Sequence, residues 1–275
     1  MMGFFDLSDG ERLYYEDTVD GDEVLVFVHG WMSTHEAYKA VVQGVRSEAR
    51  CITYDQRGHG LSREACQGVL DVQTLAHDLR ELLEGLGLCD VSLFGWSMGA
   101  DVVMTYLEEY GSDMLRQVIL CDMTPRQVND DTWKLGLYKG SFTERDRLQD
   151  AGKSFEEIYV EFARKVMPGF EMLPSFFFDM ALERQHGVCD ERVAVSLCAS
   201  LKEQDHRSCF RGIDIPVAYF YADPGSLFSP ELADWYAQNV SSKFTPVKFC
   251  NATHMLVEEQ QAKVARELAS LLRAP

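Results

Sequence analysis

Several sequence patterns that mark common functional classes are missing from this chain of 275 residues. No two cysteines are spaced C-x-x-C, which argues against a zinc site or a redox dithiol. No His, Cys and carboxylate cluster has metal-ligand spacing, and there is no G-x-G-x-x-G dinucleotide fingerprint, so we expect no metal and no cofactor. No apolar run approaches the ~18 residues that a membrane-spanning helix needs.

Positive charge is also scarce, since 26 Lys and Arg face 44 Asp and Glu, for a formal net charge of −18. Nucleic acids and anionic membranes would repel such a chain, so the expected partner is a small-molecule substrate. We expect a monomer or a homodimer. Residues 1–9 lack the basic and apolar regions of a signal peptide, which favours a cytoplasmic location.

The eight cysteines are expected to be free thiols in a reducing compartment. They are Cys51, Cys66, Cys89, Cys121, Cys189, Cys198, Cys209 and Cys250. Those within apolar runs, such as Cys121 and Cys250, are predicted to be buried and to pack as small hydrophobic side chains.

What the sequence does contain is an alternation of apolar runs and amphipathic segments. Residues 4–17 predict a hairpin that turns at Asp9-Gly10. Continuous apolar runs, typical of strands buried on both faces, occupy 24–28, 51–54, 91–94, 117–121, 217–221 and 247–250. Helical patterns occupy 75–86, 100–110, 230–239 and 258–272. This order predicts an α/β fold whose mostly parallel sheet carries helices on both faces.

Residues 125–210 interrupt this alternation. They contain no clear strand, are rich in aromatic residues, and have helix-like segments at 155–166, 176–185 and 192–201. We interpret 125–210 as a helical cap inserted into a core formed by 1–124 and 211–275. The alternative is an ordinary extension of the core, and the apolar stripe along 155–166 is more typical of core packing than of substrate contact.

The most specific local motif is Gly95-Trp96-Ser97-Met98-Gly99, which follows an apolar run and opens a helix. A serine at such a tight strand-to-helix turn needs small neighbours and lies at a helix N-terminus, where N–H groups favour developing negative charge. Ser97 is therefore the candidate nucleophile. The alternative is a structural turn serine.

A serine hydroxyl needs a general base, and the histidine best placed for this is His254, which follows the last apolar run. His35, His77, His186 and His206 fall on helix-like stretches that we expect to be solvated. His29 is interpreted as a buried residue that braces its loop.

The sequence after the first buried strand, His29-Gly30-Trp31, offers an oxyanion site. The backbone N–H groups of Trp31 and Met98 are the expected donors. Gly30, Trp31, Met32 and Trp96 are predicted to form an apolar substrate pocket around Ser97.

These motifs, together with residues 55–62 (Asp-Gln-Arg-Gly-His-Gly-Leu-Ser), resemble the α/β-hydrolase superfamily over almost the whole chain. The resemblance implies a sheet of about eight strands, a cap after the sixth strand, and a triad in the order Ser, acid, His. It also implies that 55–62 form a structural turn.

The acid departs from the commonest pattern of the superfamily. Most relatives carry an Asp after the strand at 216–221, at a position that falls on Gly225 here, and Asp223 lies two residues too early. A subset of the superfamily resembles this sequence in placing the acid after the sixth strand, where Asp122 stands. Asp122 is therefore the favoured acid and Asp223 the alternative.

The leading hypothesis is a serine hydrolase acting on a small, fairly apolar ester, lactone or related carbonyl compound. The same fold and triad serve C–C bond cleavage, perhydrolase or haloperoxidase-like reactions and cofactor-free oxygenation in some relatives, which is the alternative. A non-enzymatic receptor is a third hypothesis. Dehalogenase and epoxide hydrolase chemistry is disfavoured, because those relatives carry Asp where Ser97 stands.

Overall fold

The computed structural model describes residues 1–65, 70–167 and 169–273, and within them eight strands form one sheet. The strands are β1 (Met2–Asp6), β2 (Arg12–Asp17), β3 (Glu23–Val28), β4 (Ala49–Tyr54), β5 (Val91–Trp96), β6 (Leu115–Cys121), β7 (Val217–Gly225) and β8 (Phe244–Thr253). Their spatial order is β1-β2-β4-β3-β5-β6-β7-β8. The predicted α/β architecture is confirmed.

The direction of pairing follows the length of the connections. β1 and β2 form an antiparallel hairpin, as predicted, with Gly10 at φ 91° in its turn, and β2 also pairs antiparallel with β4. All pairings from β4 through β8 are parallel. Parallel strands need long crossover connections, and these supply the helices.

Helices cover both faces of the sheet. They are α1 (Lys39–Val45), α2 (Val72–Gly85), α3 (Met98–Tyr110), α4 (Glu144–Asp150), α5 (Phe155–Val166), α6 (Ser175–Val188), α7 (Glu191–Leu201), α8 (Leu232–Asn239), α9 (Leu256–Glu259) and α10 (Gln261–Leu272). Leu25 and Phe27 of β3 join one core with α1 and α10, whereas Val26 and Val28 join the other core with α2 and α3. Alternate side chains of one strand thus fill two cores, which explains the continuous apolar runs.

Residues 125–210, which lie between β6 and β7 and are called here the insertion, carry α4 to α7 in their described part. That they form a cap separate from the core stays a prediction of the sequence. The two ends of the insertion meet, because the His206 N–H donates to the Pro125 carbonyl at 2.8 Å. Buried side chains of the insertion, such as Trp133, Phe142 and Leu197, join the same core as α2 and α3.

Some predictions of detail were wrong. The helix predicted over 258–272 is two helices, α9 and α10, separated at Gln260. Helices α1 and α4 were not predicted. Cys250 is exposed rather than buried, whereas Cys121 is buried as expected. Cys66 lies outside the described residues. None of the helices in the described ranges is long and apolar enough to span a membrane.

Candidate active site

Four of the predicted site residues lie at or just beyond the carboxyl ends of parallel strands. Trp31 lies three residues beyond β3, Ser97 follows β5, Asp122 follows β6 and His254 follows β8. The carboxyl ends of parallel strands meet at one edge of a sheet, and open α/β sheets present their ligand sites there. The fold therefore brings together residues that lie far apart in the sequence.

Ser97 occupies a strained turn between β5 and α3. Its backbone has φ 53° and ψ −122°, a conformation that costs energy in a residue with a side chain. The turn is held from both sides, since the Ser97 N–H donates to the Cys121 carbonyl at 2.9 Å and the Ser97 carbonyl accepts from the Ala100 N–H at 2.8 Å.

The two glycines of the motif allow this turn by their lack of a side chain. A Cβ atom at Gly95 would lie 2.4 Å from the carbonyl oxygen of Gly99, and one at Gly99 would lie 1.9 Å from the carbonyl oxygen of Val28. Both distances are far below van der Waals contact, so β5, α3 and the end of β3 approach closely only because these positions are glycine.

Ser97, His254 and Asp122 form a continuous chain of hydrogen bonds. The Ser97 Oγ lies 2.9 Å from His254 Nε2, and His254 Nδ1 lies 2.7 Å from Asp122 Oδ2. The imidazole and the carboxylate are almost fully buried, at 1% and 0% exposure of their side chains. A carboxylate accepts only, so the histidine places its proton on Nδ1 and leaves Nε2 free to accept the serine hydroxyl.

The Asp122 carboxylate is held by two further donors. The Ala222 N–H reaches Oδ1 at 3.2 Å, and the Ser226 hydroxyl donates to Oδ2 at 2.9 Å. Asp122 itself has φ 48°, which turns its side chain at the end of β6. The alternative acid, Asp223, instead pairs with Lys248, so the structure does not bring it to the imidazole.

His254 is fixed through its backbone and its ring. The Trp96 indole N–H donates to the His254 carbonyl at 3.0 Å. The rings of Phe162 and Phe228 each lie 6.1 Å from the imidazole centroid in near-perpendicular contacts. The imidazole is thus confined by aromatic side chains from two different segments.

Two backbone N–H groups next to Ser97 remain unpaired within the described part of the chain. Met98 is the first residue of α3, so its N–H has no partner within the helix. The Trp31 N–H also makes no hydrogen bond with the described residues. Gly30 brings the two loops together, because a Cβ atom there would lie 3.3 Å from the Ser97 Cβ.

A cavity lies against Ser97 and His254 and encloses about 620 Å³, part of it open to solvent. Trp31 lines it, but the other predicted pocket residues do not. Gly30 packs on Ser97, Trp96 is buried in the core shared with α1 and α10, and the Met32 N–H donates to His59 Nε2 at 3.3 Å. These three residues pack beside the site rather than line its cavity.

His29 and His59 brace the loops beside the site. His29 Nδ1 donates to the Gly30 carbonyl at 2.8 Å and its Nε2 accepts the Gln56 N–H at 3.0 Å. Burial lowers the pKa of both rings, that of His59 to about 3, so both are neutral. Asp55 accepts the backbone N–H groups of His35 and Leu61, both at 2.8 Å, so its carboxylate holds its own loop.

The expectation that His206 is solvated was wrong. Its side chain is 1% exposed and lies between two carboxylates, with Nδ1 2.7 Å from Glu108 Oε2 and Nε2 3.6 Å from Asp101 Oδ1. Burial lowers the pKa of His206, but the two carboxylates outweigh burial and raise it to about 10. His35 is also largely buried, whereas His77 and His186 are exposed.

Across residues 1–65, 70–167 and 169–273, no group of three or more His, Cys, Asp or Glu side chains is arranged to hold a metal ion. The absence of a metal or cofactor stays a prediction of the sequence.

Comparison with known proteins gives the family. A family model described as alpha/beta hydrolase fold matches residues 23–260. The chain belongs to the alpha/beta hydrolase family. It is 31% identical over 254 residues to a non-heme haloperoxidase of Rhodococcus erythropolis, covering 89% of this chain and 91% of that protein.

Other members of the alpha/beta hydrolase family are similar over different lengths. The non-heme chloroperoxidase CPO-A1 of Kitasatospora aureofaciens is 33% identical over 159 residues, which span 54% of this chain and 57% of that relative. The structure of the esterase EaEST of Exiguobacterium antarcticum superposes with a TM-score of 0.80 at 21% identity and covers 100% of both chains, which shows the shared fold.

Sequence reasoning missed several residues at the site. Ser226 carries no local pattern that would link it to Asp122. Ile158 and Phe162 belong to the apolar stripe of α5 that favoured core packing, yet they line the cavity, as do Gln127 and Lys202. The place of these four cavity-lining residues is apparent only from the tertiary arrangement of the insertion.

Proposed function

We propose that this protein is a serine hydrolase that cleaves small, fairly apolar esters, lactones or related carbonyl compounds. The observation that supports this most directly is the hydrogen-bonded series Ser97, His254 and Asp122, with its 2.9 and 2.7 Å distances. The cavity beside it has a mainly apolar lining, including Trp31, Leu137, Ile158, Phe162 and Phe228.

In the proposed reaction the Ser97 oxygen attacks the substrate carbonyl while His254 Nε2 takes the hydroxyl proton. Asp122 holds the imidazole in the required tautomer and stabilises its positive charge. The N–H groups of Trp31 and Met98 donate to the oxyanion of the tetrahedral intermediate.

The intermediate then collapses, and the leaving alcohol receives the proton from His254. Water attacks the acyl–Ser97 ester, gives its proton to His254, and the acid leaves as Ser97 regains its proton. The net reaction consumes one water molecule per ester.

The reactant is a small molecule, while the cytoplasmic location and the monomeric or homodimeric state stay predictions of the sequence.

A fluorophosphonate probe tests this proposal, because it forms a covalent bond with an activated serine. We expect the wild-type protein to be labelled and Ser97→Ala to be unlabelled. The kcat of Ser97→Ala for an aryl ester should be reduced ~10⁴-fold or more. The control Ser141→Ala, which changes an exposed serine, should behave as wild type in both assays. An unlabelled wild-type protein, or equal labelling of Ser97→Ala, would overturn the assignment.

A second candidate function is perhydrolysis, which the haloperoxidase names of two relatives favour. Hydrogen peroxide would replace water in attacking the acyl–Ser97 ester, giving a peracid that oxidises halide, with Ser97 released as before. Bromination of a phenolic acceptor in the presence of acetate, peroxide and bromide would reveal it. Bromination that exceeds ester hydrolysis in rate would favour this function over the first.

A further inference from the structure

The cavity beside Ser97 has a polar portion that the reaction described above does not use. Gln127, Tyr138, Asp150, Glu161 and Lys202, all from the insertion, line it together with Ser97 and His254. Polar groups buried in an otherwise apolar pocket usually orient a ligand.

Gln127 is the most informative of these residues. It is only 6% exposed. Its backbone carbonyl accepts the Leu137 N–H at 2.8 Å, but its side-chain amide makes no hydrogen bond with any residue in the described ranges. The amide atoms are accessible from the cavity rather than sealed in the core, so a substrate oxygen can bind them in place of water.

Lys202 offers a second donor. Its side chain is 8% exposed, and its ammonium donates to Asp150 Oδ2 at 2.7 Å. Burial lowers the pKa of Lys202, but the adjacent Cys198 and Asp150 raise it above its ordinary value, so the group is charged. An ammonium has three donors, of which Asp150 and the Cys198 side chain take two.

The charges around Lys202 balance. Lys153 pairs with both Asp150 and Glu161, so two ammonium groups face two carboxylates. An anionic substrate group would gain from Lys202 and be repelled by Asp150 and Glu161. A neutral acceptor, such as a carbonyl or hydroxyl oxygen, can take a hydrogen bond without adding a buried charge.

We propose that this cavity selects neutral acyl substrates that carry a second oxygen acceptor, a ketone or a hydroxyl, besides the reacting carbonyl, and that Gln127 and Lys202 bind that oxygen. The proposal rests on the proposed hydrolase function and names the substrate class of the same site. Gln127 is then a specificity-determining residue rather than a member of the catalytic machinery.

Two aryl esters of equal size test the proposal. p-Nitrophenyl 4-oxopentanoate and p-nitrophenyl 4-methylpentanoate differ in whether a ketone oxygen or a methyl group occupies the same place. We expect kcat/KM for the oxo ester to exceed that for the methyl ester about 10-fold, after each is divided by its rate of uncatalysed hydrolysis. A p-nitrophenyl ester that ends in a carboxylate should be the poorest of the three.

Gln127→Leu removes the amide while keeping the size of the side chain. We expect kcat/KM of this variant to fall for the oxo ester and to stay unchanged for the methyl ester, so that most of the roughly 10-fold preference is lost. The matched control is Gln43→Leu, at an exposed position of α1, which should keep the wild-type preference. An equal rate for both esters in the wild type, or an unchanged preference in Gln127→Leu, would overturn the proposal.

Binding to Ser97→Ala separates this proposal from the hydrolase function. Titration calorimetry should show tighter binding of the oxo ester than of the methyl ester, and the difference should disappear when Gln127→Leu is added. If the wild type fails to turn over or label but this binding difference remains, the hydrolase function fails and the acceptor site stands. If labelling succeeds and the two esters bind equally, the acceptor site fails.

Discussion

The two walls of the cavity differ in how far their polar groups are already satisfied. On the wall formed by the strand ends, Ser97, His254 and Asp122 are bonded to one another. On the wall formed by the insertion, Asp150, Glu161 and Lys202 are held in ion pairs, but the amide of Gln127 and the hydroxyl of Tyr138 make no hydrogen bond with the described residues. The first wall is organised before a ligand arrives, whereas the second offers groups for a ligand to bond.

This difference suggests a division of labour in the proposed enzyme. Groups that perform the chemistry gain from being held in one geometry. Donor groups that recognise a substrate discriminate less between substrates if protein acceptors already occupy them, because a substrate oxygen must then compete with those acceptors. The two regions should therefore respond differently to substitution.

The largest expected effect concerns the acid. Asp122→Asn should reduce kcat/KM about 10⁴-fold, because an amide no longer holds His254 in the required tautomer. Asp223→Asn, the matched control, should change activity less than about 3-fold, because Asp223 pairs with the partly exposed Lys248. Steady-state kinetics on one aryl ester measures both, and a larger loss in Asp223→Asn would reverse the assignment of the acid.

The next effect compares two glycines. Gly99→Ala should lower the free energy of unfolding by roughly 3 kcal/mol or more, since its Cβ would lie 1.9 Å from the Val28 oxygen. Gly187→Ala in α6 of the insertion has no atom within 4 Å of the new Cβ and should raise stability by about 0.5–1 kcal/mol. Denaturant unfolding distinguishes the two, and similar values would contradict the contrast between the regions.

A smaller effect concerns the pH dependence of stability. The pKa of His206 is raised to about 10 in the folded protein. The stability that the protonated ring contributes is therefore fully present below its pKa in the unfolded chain, near 6.5, and is lost as the pH rises through about 10. We expect wild type to lose about 2 kcal/mol relative to His206→Gln across this range.

Denaturant unfolding from pH 6 to 10 measures this difference, with the exposed His77→Gln as the control. A constant difference in stability between wild type and His206→Gln at every pH would show that the contact with Asp101 and Glu108 does not depend on charge.

The sheet could be predicted because parallel strands buried on both faces are apolar throughout, as in β3 and β5. Helices that are short or little buried could not be predicted in this way. Helix α1 has seven residues, too few to establish a period, and α4 has no buried residue and therefore no apolar stripe. The break before α10 occurs at Gln260, where no glycine or proline marks it.

For the site, the motif around Ser97 could be recognised because its glycines are required locally by close backbone approach. The surroundings of His206 could not, because its partners Asp101 and Glu108 lie about a hundred positions earlier and meet it only in the folded protein. The same holds for Gln127 and Lys202, whose place in the cavity depends on how the insertion packs.

The hydrogen bond between the His206 N–H and the Pro125 carbonyl brings the start and the return of the insertion within 2.8 Å of each other. A segment whose ends adjoin can be exchanged for another of different length without displacing the strands that flank it. Chimeras joined at these two positions would leave β6 and β7, and with them Asp122, in place, whereas the replacement segment would have to supply the ring contact that Phe162 makes with His254.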